Sequence, residues 1–118
     1  MHAESIDWTK ALLIAGGSPA VRDQIVDGVL ELFADQGELA PLFVITGRSN
    51  EVGRLRELSH RGIGLAKQGA MPTLERLCKE LQACLAENRL EDAGALGVAL
   101  REERENVHRV VVALRSQG

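Results

Sequence analysis

Apolar residues recur at helical spacing along most of the chain, and turn-forming residues divide them into separate stretches. Asp7 is a typical N-cap for a short first helix that ends at Gly16 and Gly17. Ser18 and Pro19 predict a second helix, because serine caps helix N-termini and proline suits the first helical position. The apolar side of this second helix consists of Ile25, Val26, Val29, Leu32 and Phe33.

The segment 42–46 is ambiguous, because its β-branched and aromatic residues suit a strand about as well as a buried helix. Gly37 and Pro41 break or bend the chain before it, and we assign it to a helix. The alternative is a β-α-β unit with strands at 12–18 and 42–47, whose glycine turn could hold phosphate at a helix N-terminus. The full Gly-x-Gly-x-x-Gly motif is absent, so the helical interpretation is favoured.

Three more helices are predicted after a loop at 47–50. They cover about 51–70, a stretch from Pro72 to a turn at 88–89, and about 91–115. Their apolar stripes include Leu55, Leu58, Leu65, Leu74, Leu77, Cys78, Leu81, Leu85, Leu96, Leu100, Val107, Val111 and Leu114, whereas Arg101, Glu102, Arg104 and Glu105 should be exposed. Short connections favour antiparallel neighbours, so the expected fold is all-α, an antiparallel up-down-up-down four-helix bundle with a short N-terminal helix.

Length and composition narrow the function classes. A chain of 118 residues predicts a single domain over 1–118, and no apolar run is long enough to span a membrane. The net charge of −3 and the three aromatic residues argue against nucleic acid as a partner. Cys78 and Cys84 are expected to be buried thiols in a reducing compartment. Without a visible secretory signal, we expect a cytoplasmic protein, and a monomer because one bundle can bury every stripe.

His60 is the strongest candidate for chemistry. Gly53 and Gly64 lie on the same helical side as His60, so no bulky neighbour on that side shields the ring. Glycine costs a helix interior about 1 kcal/mol relative to alanine, so its repeated use suggests a packing or access reason. Access to the imidazole by another protein is the reason that we favour.

The segment 60–64, His-Arg-Gly-Ile-Gly, resembles the histidine-containing phosphotransfer (HPt) domain family of phosphorelays. That family carries His-x-x-Lys-Gly in a long helix, followed by small residues and by a second helix with Gln or Glu near the histidine. Here the small residues are Ala66, Gly69 and Ala70, and the second helix contains Gln82. The similarity covers nearly the whole chain, although Ile63 stands where the family usually has lysine.

The resemblance implies that His60 carries a phosphoryl group between receiver domains of response regulators or hybrid histidine kinases. Neutral imidazole suits this chemistry, because one ring nitrogen is free to attack at neutral pH. In the family the receiver supplies Mg²⁺ and most of the catalytic groups, so no cofactor is expected in this chain. No ATP site is visible either, which predicts a phosphotransfer intermediate that is neither a kinase nor a conventional enzyme.

Supporting roles follow from the same resemblance. Gln82 should return to the level of His60 and orient the imidazole or donate to a phosphoryl oxygen. Lys67 and Lys79 are candidates to replace the missing cation, because Lys67 is on the His60 side of its helix and Lys79 on the Gln82 side. Gly64 should keep the site open.

Arg61 and Ile63 are expected to help dock a receiver, with Arg61 steering its acidic surface. The alternative function is a helical adaptor that docks on a receiver or kinase without transferring phosphate, as the loss of lysine at position 63 suggests. His108 is expected on the surface and His2 in a loose terminus, and the three histidines have no metal-ligand spacing.

Overall fold

The computed structural model describes residues 5–117, and the regular secondary structure in this range is helical. The five α-helices are α1 (Trp8–Ile14), α2 (Pro19–Leu32), α3 (Val52–Gln68), α4 (Pro72–Ala86) and α5 (Leu90–Ser116), with a 3-10 helix at Ala40–Val44. No strand occurs within 5–117, so the all-helical prediction is confirmed and the β-α-β alternative is wrong. None of these helices combines the length and apolarity needed to cross a membrane.

The predicted caps of the first two helices are confirmed. An Asp7 carboxylate oxygen accepts a hydrogen bond from the backbone N–H of Lys10 at 3.1 Å, and the Ser18 hydroxyl accepts one from Val21 at 3.2 Å. Between these helices Gly16 has φ +68°, a left-handed conformation that glycine adopts without steric cost. Local sequence signals therefore determine where α1 ends and α2 begins.

The connection between α3 and α4 is tighter than the sequence indicated. We predicted a helix to about Ala70, but α3 ends at Gln68 and Ala70 has φ +57°. The backbone N–H of Met71 donates to the carbonyl of Ala66, and that of Ala70 donates to Lys67, which is the bonding pattern of a Schellman motif. The chain therefore reverses within three residues, and α3 and α4 lie side by side.

The ambiguous segment 42–46 overlaps the 3-10 helix at Ala40–Val44, so its assignment to a helix holds for 42–44, whereas residues 45 and 46 lie beyond the end of that helix. The segment lies close to α5, because Gly94 and Gly97 have no side chains and let its backbone approach that helix. A Cβ added at Gly94 would lie 2.6 Å from the Ile45 carbonyl oxygen, and one at Gly97 would overlap the carbonyl of Leu42. The segment therefore packs with its backbone against the glycines of α5.

The core lies between α3, α4 and α5, with α2 against one side. The predicted stripe of α4 is confirmed, since Leu74, Leu77, Cys78, Leu81 and Leu85 are all buried. In α5, Leu100, Val107 and Val111 are buried, whereas Leu96 and Leu114 are only partly buried.

Ion pairs connect α2 and the segment after it to α5. Arg101 forms a two-pronged pair with Asp35 at 2.7 and 2.8 Å, and Arg115 pairs with Asp27 at 2.8 Å. The prediction that Arg104 is exposed is wrong, because its side chain is only 19% exposed and donates to the Leu30 carbonyl at 3.1 Å. Its guanidinium supplies a partner for a carbonyl near the end of α2, where no intrahelical donor remains.

Candidate functional site

His60 lies near the middle of α3 with an exposed side chain. It lines an open depression of about 390 Å³ together with Gly53, Arg56 and Glu57 of the same helix and Gln82 of α4. A depression of this size and openness leaves the imidazole reachable by groups on another molecule. It is the place where the structure brings His60 and Gln82 together.

The geometry of α3 explains which residues share the depression with His60. Gly53, Arg56 and Glu57 precede His60 by seven, four and three positions, which places them along one side of an α-helix. A helical side chain leans toward the N-terminus of its helix and covers the preceding turn. This direction agrees with the presence of Arg56 and Glu57, from the preceding turn, in the lining of the depression.

Gln82 reaches the site because α3 and α4 run in opposite directions. Residues at similar distances along the chain from the connection at 69–71 therefore meet across this helix pair. Gly62 and Cys78 are an example, since a Cβ added at Gly62 would lie 2.8 Å from the Cys78 sulfur. His60 and Gln82 are likewise eleven positions before and after Met71. The half-buried Gln82 amide therefore enters the depression from the neighbouring helix.

The glycines of α3 have two different environments. Gly62 faces α4, where an added Cβ would be too close to the Cys78 sulfur. Gly53 and Gly64 face open space, with no atom within 4 Å of an added Cβ. No contact within the described residues therefore requires glycine at 53 or 64, which leaves access by a partner as a reason for its use there.

The two lysines that we selected do not line the His60 depression. Lys67 lines a separate, smaller depression of about 90 Å³ with Lys10, Asp7 and Glu75. Lys79 forms an ion pair with Glu75 at 2.8 Å, four positions earlier on α4. The structure thus brings together Gln82 and His60 but places both lysines elsewhere.

The predicted docking residues flank His60 in different ways. Arg61 is exposed and pairs with Glu38 at 2.7 Å, which links α3 to the segment before the 3-10 helix. Ile63 is partly buried and packs against the core. Ile63 therefore contributes apolar contact to the bundle and brings no charge to the His60 depression.

Arg56 and Glu57 are site residues that the sequence interpretation missed. Their spacing of four and three from His60 was the available signal, since residues at these separations are neighbours on a helix. Arg56 brings a guanidinium to the depression, and Glu57 brings a carboxylate. The site therefore combines an imidazole, an amide and one charge of each sign.

The remaining candidate groups lie away from this depression. His108 is exposed on α5, as predicted, and His2 lies outside the described residues. Both cysteines are buried free thiols, also as predicted, and burial raises the pKa of Cys78 to about 12. Between residues 5 and 117, no three His, Cys, Asp or Glu side chains are grouped so that they could hold a metal ion.

Comparisons with models of protein families, with curated proteins and with solved structures find no match to this chain.

Proposed function

We propose that this protein is a phosphorelay intermediate that carries a phosphoryl group on His60 between receiver domains. The observation that carries the proposal is the open depression in which exposed His60 lies beside Gln82 and Arg56. An exposed imidazole can approach a phosphoryl group on another protein, and the amide and guanidinium can donate hydrogen bonds to its oxygens. The resemblance to the HPt family supports the same function.

The transfer needs few groups from this chain. A ring nitrogen of neutral His60 attacks the phosphorus of the receiver's aspartyl phosphate, and an N–P bond forms while the P–O bond to the carboxyl group breaks. The receiver recovers its carboxylate, and the return step reverses these changes with a second receiver. Such a transfer depends mainly on in-line positioning and charge neutralisation, to which Gln82 and Arg56 contribute.

The fold that we propose for this function is the antiparallel up-down-up-down four-helix bundle, built from α2 to α5, with α1 as the short N-terminal helix. The opposed pair of α3 and α4 supports it, as do the extensive contacts of α4 with α5. Ion pairs from Arg101 and Arg115 hold the α2 side of the molecule against α5. Such a bundle presents the middle of α3, with the open depression beside His60, to a partner.

Receiver domains are the proposed partners. The surface on which they dock would centre on His60 and Gly64. A Cβ added at Gly64 would meet only open space. Arg61 and the exposed part of Ile63 lie beside this centre. Transient signalling contacts are commonly small, below about 1,200 Å² of total buried area, so one helix face is sufficient for such a complex.

A second candidate function is a helical adaptor that binds a receiver or kinase without accepting phosphate. Ile63 is the observation that favours it, since an apolar side chain occupies the position of the family's lysine. In the adaptor, His60 would be a docking residue with no covalent role.

Transfer of label from ³²P-phosphorylated receiver domains of the same organism tests the proposal. We expect acid-labile, alkali-stable label on wild type and none on His60→Gln. His108→Gln is the matched control, because His108 is also an exposed histidine and lies on another helix. Binding of a receiver to wild type and His60→Gln without label on either would contradict the relay and favour the adaptor.

A further inference from the structure

We propose that Arg56 binds the phosphoryl group on His60, in place of the lysine that position 63 lacks. This inference rests on the proposed function and identifies the cation that makes the site suitable for a dianionic group. Arg56 lines the depression that contains the imidazole, and it lies four positions before His60 on α3.

The other arginines and lysines of α3 and α4 form ion pairs or lie outside the His60 depression, and Arg54, which is unpaired within residues 5–117, does not line it. Arg61, Arg76 and Lys79 each form an ion pair with a glutamate, at 2.7, 3.2 and 2.8 Å. Lys67 lines the separate depression beside Asp7. Arg56 is the cation that lines the His60 depression, and it forms no ion pair within residues 5–117.

Arg56 lies on the same side of α3 as His60, one turn before it, and it lines the same depression. The imidazole leans toward the N-terminus of α3, so a phosphoryl group on its outer nitrogen lies over the preceding turn. Arg56 belongs to that turn. Lys67 lies about 10 Å from His60 along the helix axis, toward the C-terminus of α3, since each residue adds 1.5 Å. The long arginine side chain can reach the phosphoryl oxygens from this position.

Glu57 is the one carboxylate among the residues that line the depression. It forms no ion pair with Arg56 in the structure, so the guanidinium is available to another anion. A guanidinium can donate two parallel hydrogen bonds to phosphoryl oxygens and keeps its proton throughout. Arg56 therefore stabilises the phosphorylated form by binding, without taking part in proton transfer.

The first test compares Arg56→Gln with Arg54→Gln in the receiver assay. Arg54 is the matched control, since it is exposed on the same helix but six positions from His60, about 120° away around the helix. We expect Arg56→Gln to lower the equilibrium constant for transfer of label from the receiver to His60 about tenfold, the effect of one charge-assisted interaction. Arg56→Lys should retain part of it, and Arg54→Gln should match wild type.

Ile63→Lys in the Arg56→Gln background is the second variant. Position 63 and position 56 lie on the same side of His60, so a lysine at 63 should restore most of the lost label. A loss that reflected only damage to α3 would not be restored in this way. Circular dichroism spectra should show the same helix content for all variants.

A small donor separates this inference from the proposed function. Phosphoramidate can phosphorylate an accessible histidine without a receiver, and the lifetime of the label can then be followed after the donor is removed. We expect a severalfold shorter lifetime in Arg56→Gln than in Arg54→Gln, because a bound cation favours the dianionic phosphoryl group.

Each outcome decides one of the two ideas. A shorter lifetime without label from any receiver would contradict the relay and support the role of Arg56. Label from receivers on wild type, with Arg56→Gln equal to Arg54→Gln in both assays, would overturn the role of Arg56 alone. No label at His60 from phosphoramidate would overturn both, since the imidazole would then not be an accessible nucleophile.

Discussion

The close approach of α3 and α4 at Gly62 gives a stability prediction that also tests how the site is built. A Cβ added at Gly62 would lie 2.8 Å from the Cys78 sulfur, and 3.5 and 3.6 Å from carbons of Phe33 and Leu39. Gly64, two positions farther along the same helix, has no atom within 4 Å of an added Cβ. The substitutions Gly62→Ala and Gly64→Ala therefore differ mainly in this contact.

The expected magnitudes follow from two opposing effects. Alanine in a helix interior is favoured over glycine by about 1 kcal/mol, and both variants receive this gain. Overpacking a tight core contact costs about 1–3 kcal/mol, and only Gly62→Ala incurs it. We expect Gly64→Ala to raise the free energy of unfolding by up to about 1 kcal/mol. Gly62→Ala should be about 1–3 kcal/mol less stable than Gly64→Ala, because the helix-propensity gain cancels in the comparison.

Urea unfolding followed by circular dichroism measures this difference, provided that both variants show the same dependence on denaturant. In a Cys78→Ala background the extra cost at Gly62 should largely vanish, since the sulfur that the new Cβ meets is gone. Equal stability of Gly62→Ala and Gly64→Ala in the wild-type background would refute the reasoning. The helices would then be farther apart, and Gln82 would not share a depression with His60.

Gly64→Ala also separates stability from docking. If a receiver approaches this glycine closely, the variant should be more stable than wild type and yet accept label more slowly. The receiver assay described above measures the rate, with Gly53→Ala as a second open-glycine variant. Unchanged rates in both variants would remove close approach by a partner as the reason for these glycines.

Three further predictions concern other parts of the molecule. The hydrogen bond from Arg101 lowers the pKa of Asp35. The stability lost in Asp35→Asn should therefore be largest above about pH 4 and should shrink as the pH falls through the pKa of Asp35 in the folded state. Urea unfolding at several pH values measures this dependence. The Cys78 thiol, with a pKa raised to about 12, should resist a thiol-specific reagent at pH 8 until urea unfolds the chain. Buried Glu103 has one carboxylate oxygen without a hydrogen-bond partner within the described residues. In urea unfolding, Glu103→Leu should therefore be about 1–3 kcal/mol more stable than wild type. The control Glu102→Leu, on the exposed side of α5, should not be stabilised.

Features specified by neighbouring residues were predictable from the sequence. The caps at Asp7 and Ser18 depend on one side chain and a backbone N–H three positions later, so sequence spacing is sufficient to identify them. The stripe of α4 repeats every three or four residues and is buried as predicted. Such features need no knowledge of what packs against the helix.

Features specified by distant parts of the chain were not predictable in the same way. The 3-10 helix at Ala40–Val44 depends on two glycines of α5 that lie about fifty positions later in the chain. Arg104 is half-buried because the Leu30 carbonyl lies within reach of its guanidinium. Glu103 occupies the core side of α5, although its residue type is usually exposed.

The site shows the same division. His60 was identified from its small helical neighbours and the resemblance of 60–64 to the HPt motif, and Gln82 because the next, antiparallel helix returns it to the level of His60. Lys67 and Lys79 were selected by helical side alone, and this criterion ignores competing partners and the direction in which a side chain leans. Lys79 is paired with Glu75, and Lys67 lies about two turns beyond His60, where it lines a separate depression.

The position of the cation explains how a phosphotransfer site could work without the family's lysine. The position four residues before His60 and the position three residues after it point in directions that differ by only about 20° around the helix axis, because each residue turns an α-helix by about 100°. Arg56 and Ile63 therefore lie on the same side of the imidazole, one turn below it and one turn above. In the proposed function, positive charge on that side would offset the charge of a phosphoryl group on His60, and either turn could supply it. Because arginine has a long side chain and donates from a planar guanidinium, a cation in the preceding turn can meet the same electrostatic requirement while Ile63 packs against the core.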